Sequence, residues 1–212
     1  MTTGIRAVLW DFGGVILSSP FEAFNRYETE MGLPLNIIRT VNSTNPDENA
    51  WALLERNDIS PADFDAKFAE ESEAHGHRIP GADVLALLSG DVRPEMVRAL
   101  DHVIASGFRT ACLTNNVVTT SPDPSPRQIE VAAIMAKFDH VVESSKVGCR
   151  KPEPRFYEIA CELLNVSPPE CVFLDDLGIN LKPAAAMGMR TIKVGAPDIA
   201  LQELSDHIGL TF

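Results

Sequence analysis

Short apolar runs recur along the chain, each separated from the next by a stretch with helical spacing. The runs are Ile5–Trp10 (IRAVLW), Arg109–Leu113 (RTACL), His140–Glu143 (HVVE), Cys171–Leu174 (CVFL) and Arg190–Val194 (RTIKV). A half-exposed strand would alternate apolar and polar positions; near-continuous apolar runs predict strands buried on both faces. Helices are predicted between them at Pro94–Ser106, Ser125–Lys137, Pro154–Leu164 and Ile179–Met187, the last stopped by Gly188. The alternation predicts an α/β fold: an open parallel sheet with helices on both faces.

Ser19–Arg93 breaks this rhythm. It lies between the first two strands and carries only helical signals, at Phe21–Met31, Leu35–Val41, Ala50–Arg56 and Ser60–Ala74. In Ile59-Ser60-Pro61, Ser60 is suited to an N-cap and Pro61 to the first helical position. The span 19–93 is therefore expected to be an inserted helical lobe, with 1–18 and 94–212 forming the core. Thr119–Arg127 (TTSPDPSPR) is expected to be a proline-rich loop.

With 212 residues the chain has room for one sizeable core plus a small second lobe. The net charge of −12 argues against nucleic acid or an anionic membrane as partner, since both need clustered Lys and Arg. A small anion is still admitted if its site brings its own positive charge. No stretch approaches the roughly 18 apolar residues of a membrane span. The N-terminus runs straight into the first strand pattern, so a cytoplasmic location is expected. Monomer and homodimer are both open. The four cysteines show no metal-binding spacing. Cys112, Cys161 and Cys171 fall in apolar runs and are expected buried, whereas the polar loop around Cys149 admits an exposed thiol.

In an open α/β sheet, ligands bind beyond the carboxyl ends of the strands. Asp11-Phe12-Gly13-Gly14 follows the first strand, Thr114-Asn115-Asn116 the second, and Asp175-Asp176 the fourth, with Gly178 and Asn180 beyond; Lys151-Pro152 lies between the third and fourth. Taken singly, Asp, Asn and Thr after a strand are ordinary caps and turn formers. Together, Asp11, Asp175 and Asp176 would repel one another unless a cation sits among them. Oxygen donors without His or Cys favour Mg²⁺ over zinc. Lys151, next to a helix start, would sit at the positive end of the helix dipole, a mild penalty that a bound anion would offset.

These residues, in this order, resemble the four sequence motifs of the haloacid dehalogenase superfamily. They are Asp11-Phe12-Gly13-Gly14-Val15, Leu113-Thr114-Asn115-Asn116, Arg150-Lys151-Pro152, and Phe173-Leu174-Asp175-Asp176 with Asn180. The chain is most similar to the branch containing the N-terminal phosphatase domain of soluble epoxide hydrolase. The resemblance implies a Rossmann-like core, with the insertion 19–93 as a helical cap. It implies Asp11 as a nucleophile that forms an aspartyl-phosphate, with Lys151 neutralising charge. It also implies Thr114, Asn115 and Lys151 as the phosphate-binding residues, and Asp11, the Gly13 carbonyl, Asp175 and Asp176 as the Mg²⁺ site. The substrate would be a small phosphorylated metabolite.

One position departs from the pattern. Gly13 stands where most phosphatases of this superfamily carry a second Asp that protonates the leaving group. A positioned general acid is typically worth ~10²–10⁴-fold in rate, so weakened turnover is expected. A nearly inactive phosphate-binding or regulatory relative is the alternative. Hydrolytic dehalogenation of 2-haloacids, which needs no second Asp, is a third reading. His75 and His77 are open to two roles, facing the site or stabilising a turn, with the turn preferred.

Overall fold

The computed structural model describes residues 4–88, 90–116 and 125–212. Residues 119–124 of the proline-rich stretch lie outside them. Five strands are formed: β1 (Ala7–Trp10), β2 (Arg109–Thr114), β3 (His140–Glu143), β4 (Cys171–Asp175) and β5 (Arg190–Lys193). All pair in parallel, in the order β3-β2-β1-β4-β5. The chain builds from β1 outward to β3 and then returns to the other side for β4. The order therefore reverses beside β1, which opens a crevice beyond the carboxyl ends of β1, β2 and β4.

The continuous apolar runs follow from two separate cores, one on each face. Val8, Trp10, Cys112, Val172 and Leu174 point to the face covered by α6 (Pro94–Ala105), α7 (Pro126–Met135) and α11 (Pro197–Ile208). Ala7, Leu9, Ala111, Leu113 and Phe173 point to the opposite face, under α9 (Pro154–Leu164) and α10 (Gly178–Ala186). Successive residues thus face opposite ways and are all buried, as the sequence pattern requires. Cys149 is only 8% exposed. The expectation admitting an exposed thiol fails because its loop folds under β3, bringing Cys149 into the cluster with Val142 and Phe156.

Between β1 and β2 lie α1 (Phe21–Glu30), α2 (Ile37–Ser43), α3 (Ala50–Glu55), α4 (Pro61–Ala74) and α5 (Gly81–Ala86). They share an apolar cluster of their own that includes Phe24, Ile38, Leu54, Phe64, Phe68 and Val84. Trp51 packs edge-on against Phe64, with ring centroids 5.5 Å apart. Ser60 and Asp63 form a reciprocal capping box with Pro61 in the first turn of α4. The buried Glu28 carboxylate accepts from Asn36 N and Ile38 N at 2.6 and 3.0 Å, satisfying amides at the start of α2. The chain leaves and re-enters the core as a paired ladder. Leu17 bridges Val92 antiparallel, Ser18 N–H donates to Asp91 O (2.7 Å) and Arg93 N–H to Ile16 O (2.9 Å).

Candidate active site

Asp11 continues the β1–β4 ladder by one residue, its N–H donating to Leu174 O at 2.8 Å. The chain then turns sharply, and Asp11 Oδ1 accepts from Phe12 N at 2.6 Å. A single wide turn over Phe12–Ile16 closes when Leu17 N–H reaches back to Phe12 O. Of its two adjacent glycines, only the second is demanded by the turn. Gly14 has φ 77°, and a Cβ there would lie 2.2 Å from Asp176 Oδ2, so both backbone and space demand glycine. Gly13 has an ordinary φ of −71°, and a Cβ there would meet nothing within 4 Å.

Lys151, 1% exposed, reaches between two strand ends: Nζ lies 2.7 Å from Asp11 Oδ1 and 2.8 Å from Asp175 Oδ2. Asp175 is fully buried. Its Oδ1 accepts from Leu177 N–H at 2.8 Å, and Asn180 Nδ2 stands 3.1 Å from both of its oxygens. Asp176 Oδ2 accepts from Ser19 Oγ at 3.2 Å. Helix α9 starts at Pro154 with Glu153 at its N-cap, so the expected dipole penalty on Lys151 is answered by Asp11 and Asp175.

Burial pushes the Asp11 carboxyl well above its ordinary value; Lys151 opposes this, while Asp175 and Asp176 add to it. Burial alone would pull the Lys151 ammonium down, but Asp11 and Asp175 outweigh it and raise it. Burial, then repulsion from Asp175, pushes Asp176 up to about 6. Three carboxyls thus crowd one ammonium, more than it alone can hold ionised. Asp11, Asp175 and Asp176 each offer an oxygen within 4.8 Å of the others. An all-oxygen, anionic donor set fits a hard divalent cation such as Mg²⁺.

The end of β2 completes the group. Thr114 is buried at the last strand position. The Asn115 side chain grips both backbone polar groups of one residue: Oδ1 accepts from Lys151 N–H (2.9 Å) and Nδ2 donates to Lys151 O (3.0 Å). Asn116 ties β2 to β3, donating to Glu143 Oε1 and accepting from the Ser145 hydroxyl. The structure therefore gathers Asp11, Asn115, Lys151, Asp175 and Asp176 through contacts, with Gly13 in the turn and Thr114 beside Asn115 in the chain. His75 caps the end of α4, with Nε2 3.3 Å from Thr44 Oγ1 at the end of α2.

Three contributors escaped the sequence reading. Ser19 holds Asp176, and Arg93 donates to Gly14 O at 2.9 Å. Glu55 accepts from Asn115 Nδ2 at 3.1 Å. None belongs to a motif around a strand end; only the charge of Glu55 and Arg93 at helix boundaries offered a signal.

Comparison with known proteins agrees with this fold. The sequence model of the family described as haloacid dehalogenase-like hydrolase matches residues 5–188. The chain is 30% identical to pig bifunctional epoxide hydrolase 2 over 97% of its own length and 39% of that protein. It is 30% identical to phosphatase MT3486 of Mycobacterium tuberculosis, over 90% of this chain and 87% of that one. Among solved structures, a haloacid dehalogenase family enzyme of Bacteroides thetaiotaomicron, crystallised with magnesium and inorganic phosphate, superposes with a TM-score of 0.59. That likeness holds at 19% identity and covers 91% of this chain and 95% of that one. The chain spans less than half the length of several curated relatives that it matches. With its five-stranded parallel sheet and the charged group at its strand ends, this chain belongs to the haloacid dehalogenase-like hydrolases.

Proposed function

We propose that the protein is a Mg²⁺-dependent phosphohydrolase of modest power, acting on a small phosphorylated metabolite through an aspartyl-phosphate on Asp11. The observation that carries this reading is the charge arrangement: a buried Asp11 carboxylate 2.7 Å from Lys151, beside two further carboxylates. Asp11, Asp175, Asp176 and the Gly13 carbonyl are the residues assigned to the metal, which when bound supplies positive charge to hold a phosphate dianion among carboxylates.

An Asp11 oxygen attacks phosphorus as the bond to the leaving oxygen breaks. Lys151, Thr114 and Asn115 hold the transferring group, in a transition state that positioning and charge stabilise. Water then attacks phosphorus, releasing inorganic phosphate and restoring the carboxylate. No side chain at Gly13 protonates the leaving oxygen, so solvent serves, and poor leaving groups depart slowly. Residues 19–93 act as a cap over the core formed by 1–18 and 94–212. A cytoplasmic setting agrees with four unpaired thiols.

A screen of phosphorylated metabolites with and without Mg²⁺ tests the reading, with Asp11→Asn as the control that loses turnover. Gly13 favours a second reading, a phosphate-binding relative with negligible turnover. Binding of inorganic phosphate without hydrolysis of any ester would establish it. Magnesium-independent release of halide from a 2-haloacid would refute both.

A further inference from the structure

Helix α3 is tied to the loop that carries Lys151 by pairs of opposite charge that cross the same seam. Arg150 Nε stands 2.6 Å from Glu55 Oε2, their side chains 14% and 9% exposed. Arg56 Nη1 lies 3.5 Å from Glu153 Oε1. The two pairs grip the loop on either side of Lys151, and Arg150 also donates to Pro46 O at 2.9 Å. The outer pair is partly exposed and adds little. The inner one is desolvated, so removing one partner strands the other charge. The other Glu55 oxygen, Oε1, accepts from Trp51 Nε1 at 2.9 Å, fixing the carboxylate from behind.

Asn115 transmits this grip. Its amide satisfies both polar groups of Lys151 in only one of its two flipped orientations, because one end donates and the other accepts. Glu55 Oε2 accepts from the same Nδ2 at 3.1 Å. A flipped amide would present oxygen to that carboxylate, so Glu55 holds the orientation that Lys151 needs.

We infer that Glu55 is a positioning residue: through Asn115 and Arg150 it sets the Lys151 backbone. Seating the inserted helices and placing the Lys151 ammonium beside Asp11 become one event. The consequence for turnover rests on the phosphohydrolase reading; the placement does not.

The test measures amide hydrogen exchange at Lys151 by NMR in the full chain. Glu55→Ala is expected to speed Lys151 exchange roughly tenfold, the scale of one buried hydrogen bond, while Val8 and Phe173 amides keep their protection. Glu55→Gln, which retains an acceptor, is expected to stay near wild type. An unchanged Lys151 rate in Glu55→Ala, or an equal rise at Val8 and Phe173, would overturn the inference. Should Glu55→Ala fail to fold, Glu55→Asp, which withdraws the carboxylate from Asn115, carries the same expectation. With p-nitrophenyl phosphate, the combined kcat loss of the Glu55→Ala/Asn115→Ala double variant is expected to fall short of the product of the two single losses, because only the route through Arg150 is left to lose; losses that multiply in full would overturn action through Asn115. If wild type leaves that ester intact, the phosphohydrolase reading fails, and the exchange rates still decide the role of Glu55.

Discussion

Gly14 and Asp176 stand so close that a Cβ on the glycine would lie 2.2 Å from the aspartate Oδ2. One residue earlier, Gly13 has open space and a negative φ. The neighbours therefore predict opposite outcomes. Gly14→Ala is expected to expel the Asp176 carboxylate and abolish turnover. Gly13→Asp is expected to fold normally. Thermal melts and a phosphatase assay of the two variants check this, and a fully active Gly14→Ala would refute the close approach.

Gly13→Asp should also change selectivity. Wild type is expected to cleave aryl phosphates, whose leaving groups need no proton, far better than alkyl phosphates. The new carboxyl should raise alkyl turnover selectively, by up to ~10²–10⁴-fold. The measurement is the aryl-to-alkyl ratio of kcat/KM. Because the backbone at Gly13 is unstrained, an unchanged ratio would mean that another group already delivers the proton.

Lys151→Ala leaves the Asp11 and Asp175 carboxylates facing each other without a cation. Breaking a buried pair in this way costs about 3–5 kcal/mol, so urea unfolding in metal-free buffer should show a loss of that order. Added Mg²⁺ is expected to recover part of the stability and none of the turnover. Equal urea midpoints for the two proteins would contradict the buried-charge account.

Mg²⁺ itself should bind with measurable heat in wild type. Asp175→Asn preserves the volume of the side chain but removes the charge, and should weaken binding at least tenfold. Calorimetric titration of both proteins gives the comparison, and matching affinities would exclude Asp175 as a ligand.

Away from the site, Glu170 accepts from Ser167 N–H and Ser167 Oγ and pairs with Arg6 just before β4. These contacts hold its pKa down at about 2. A depressed carboxylate adds stability above its unfolded pKa, about 4.3, and loses it as pH falls toward the folded value. Wild type should therefore exceed Glu170→Gln in urea midpoint at pH 6, with the gap closing as the pH falls from 4 toward 2. A gap that persisted at pH 2 would argue against the linkage.

The strands and the acidic strand ends were legible because their causes are local. The run Ala7–Trp10 declares burial on both faces by itself, and Asp11 follows at the position where such sheets bind ligands. Helices without a period to display were harder. Helix α8 (Ser144–Val147) has four residues, too few for any spacing signal. Helix α11 had readable punctuation, Pro197 at its start and a left-handed Gly209 after its end, which the strand-centred reading passed over. The site residues that escaped act at long range. Glu55 meets Asn115 across sixty positions, and nothing in LERNDISPADF announces such a partner. Likewise the motif Asp11-Phe12-Gly13-Gly14 could not say which glycine was forced, since that depends on where Asp176 comes to rest.

Leu17 and Val92 form a bridge at the threshold of the sheet. That bridge is antiparallel, so everything between its two residues is the loop of one hairpin set into the crossover from β1 to β2. The entropy of closing a loop grows only with the logarithm of its length, so the sheet is almost indifferent to how much chain the hairpin contains. Helices α1–α5 bury their own apolar faces against one another and lend the sheet little. A fold wired in this way can exchange its upper helices for others, by recombination or by design, without renegotiating strand pairing. Such a graft would keep the carboxylates at the strand ends and lose Glu55, which makes the Lys151 loop the part most exposed to the exchange.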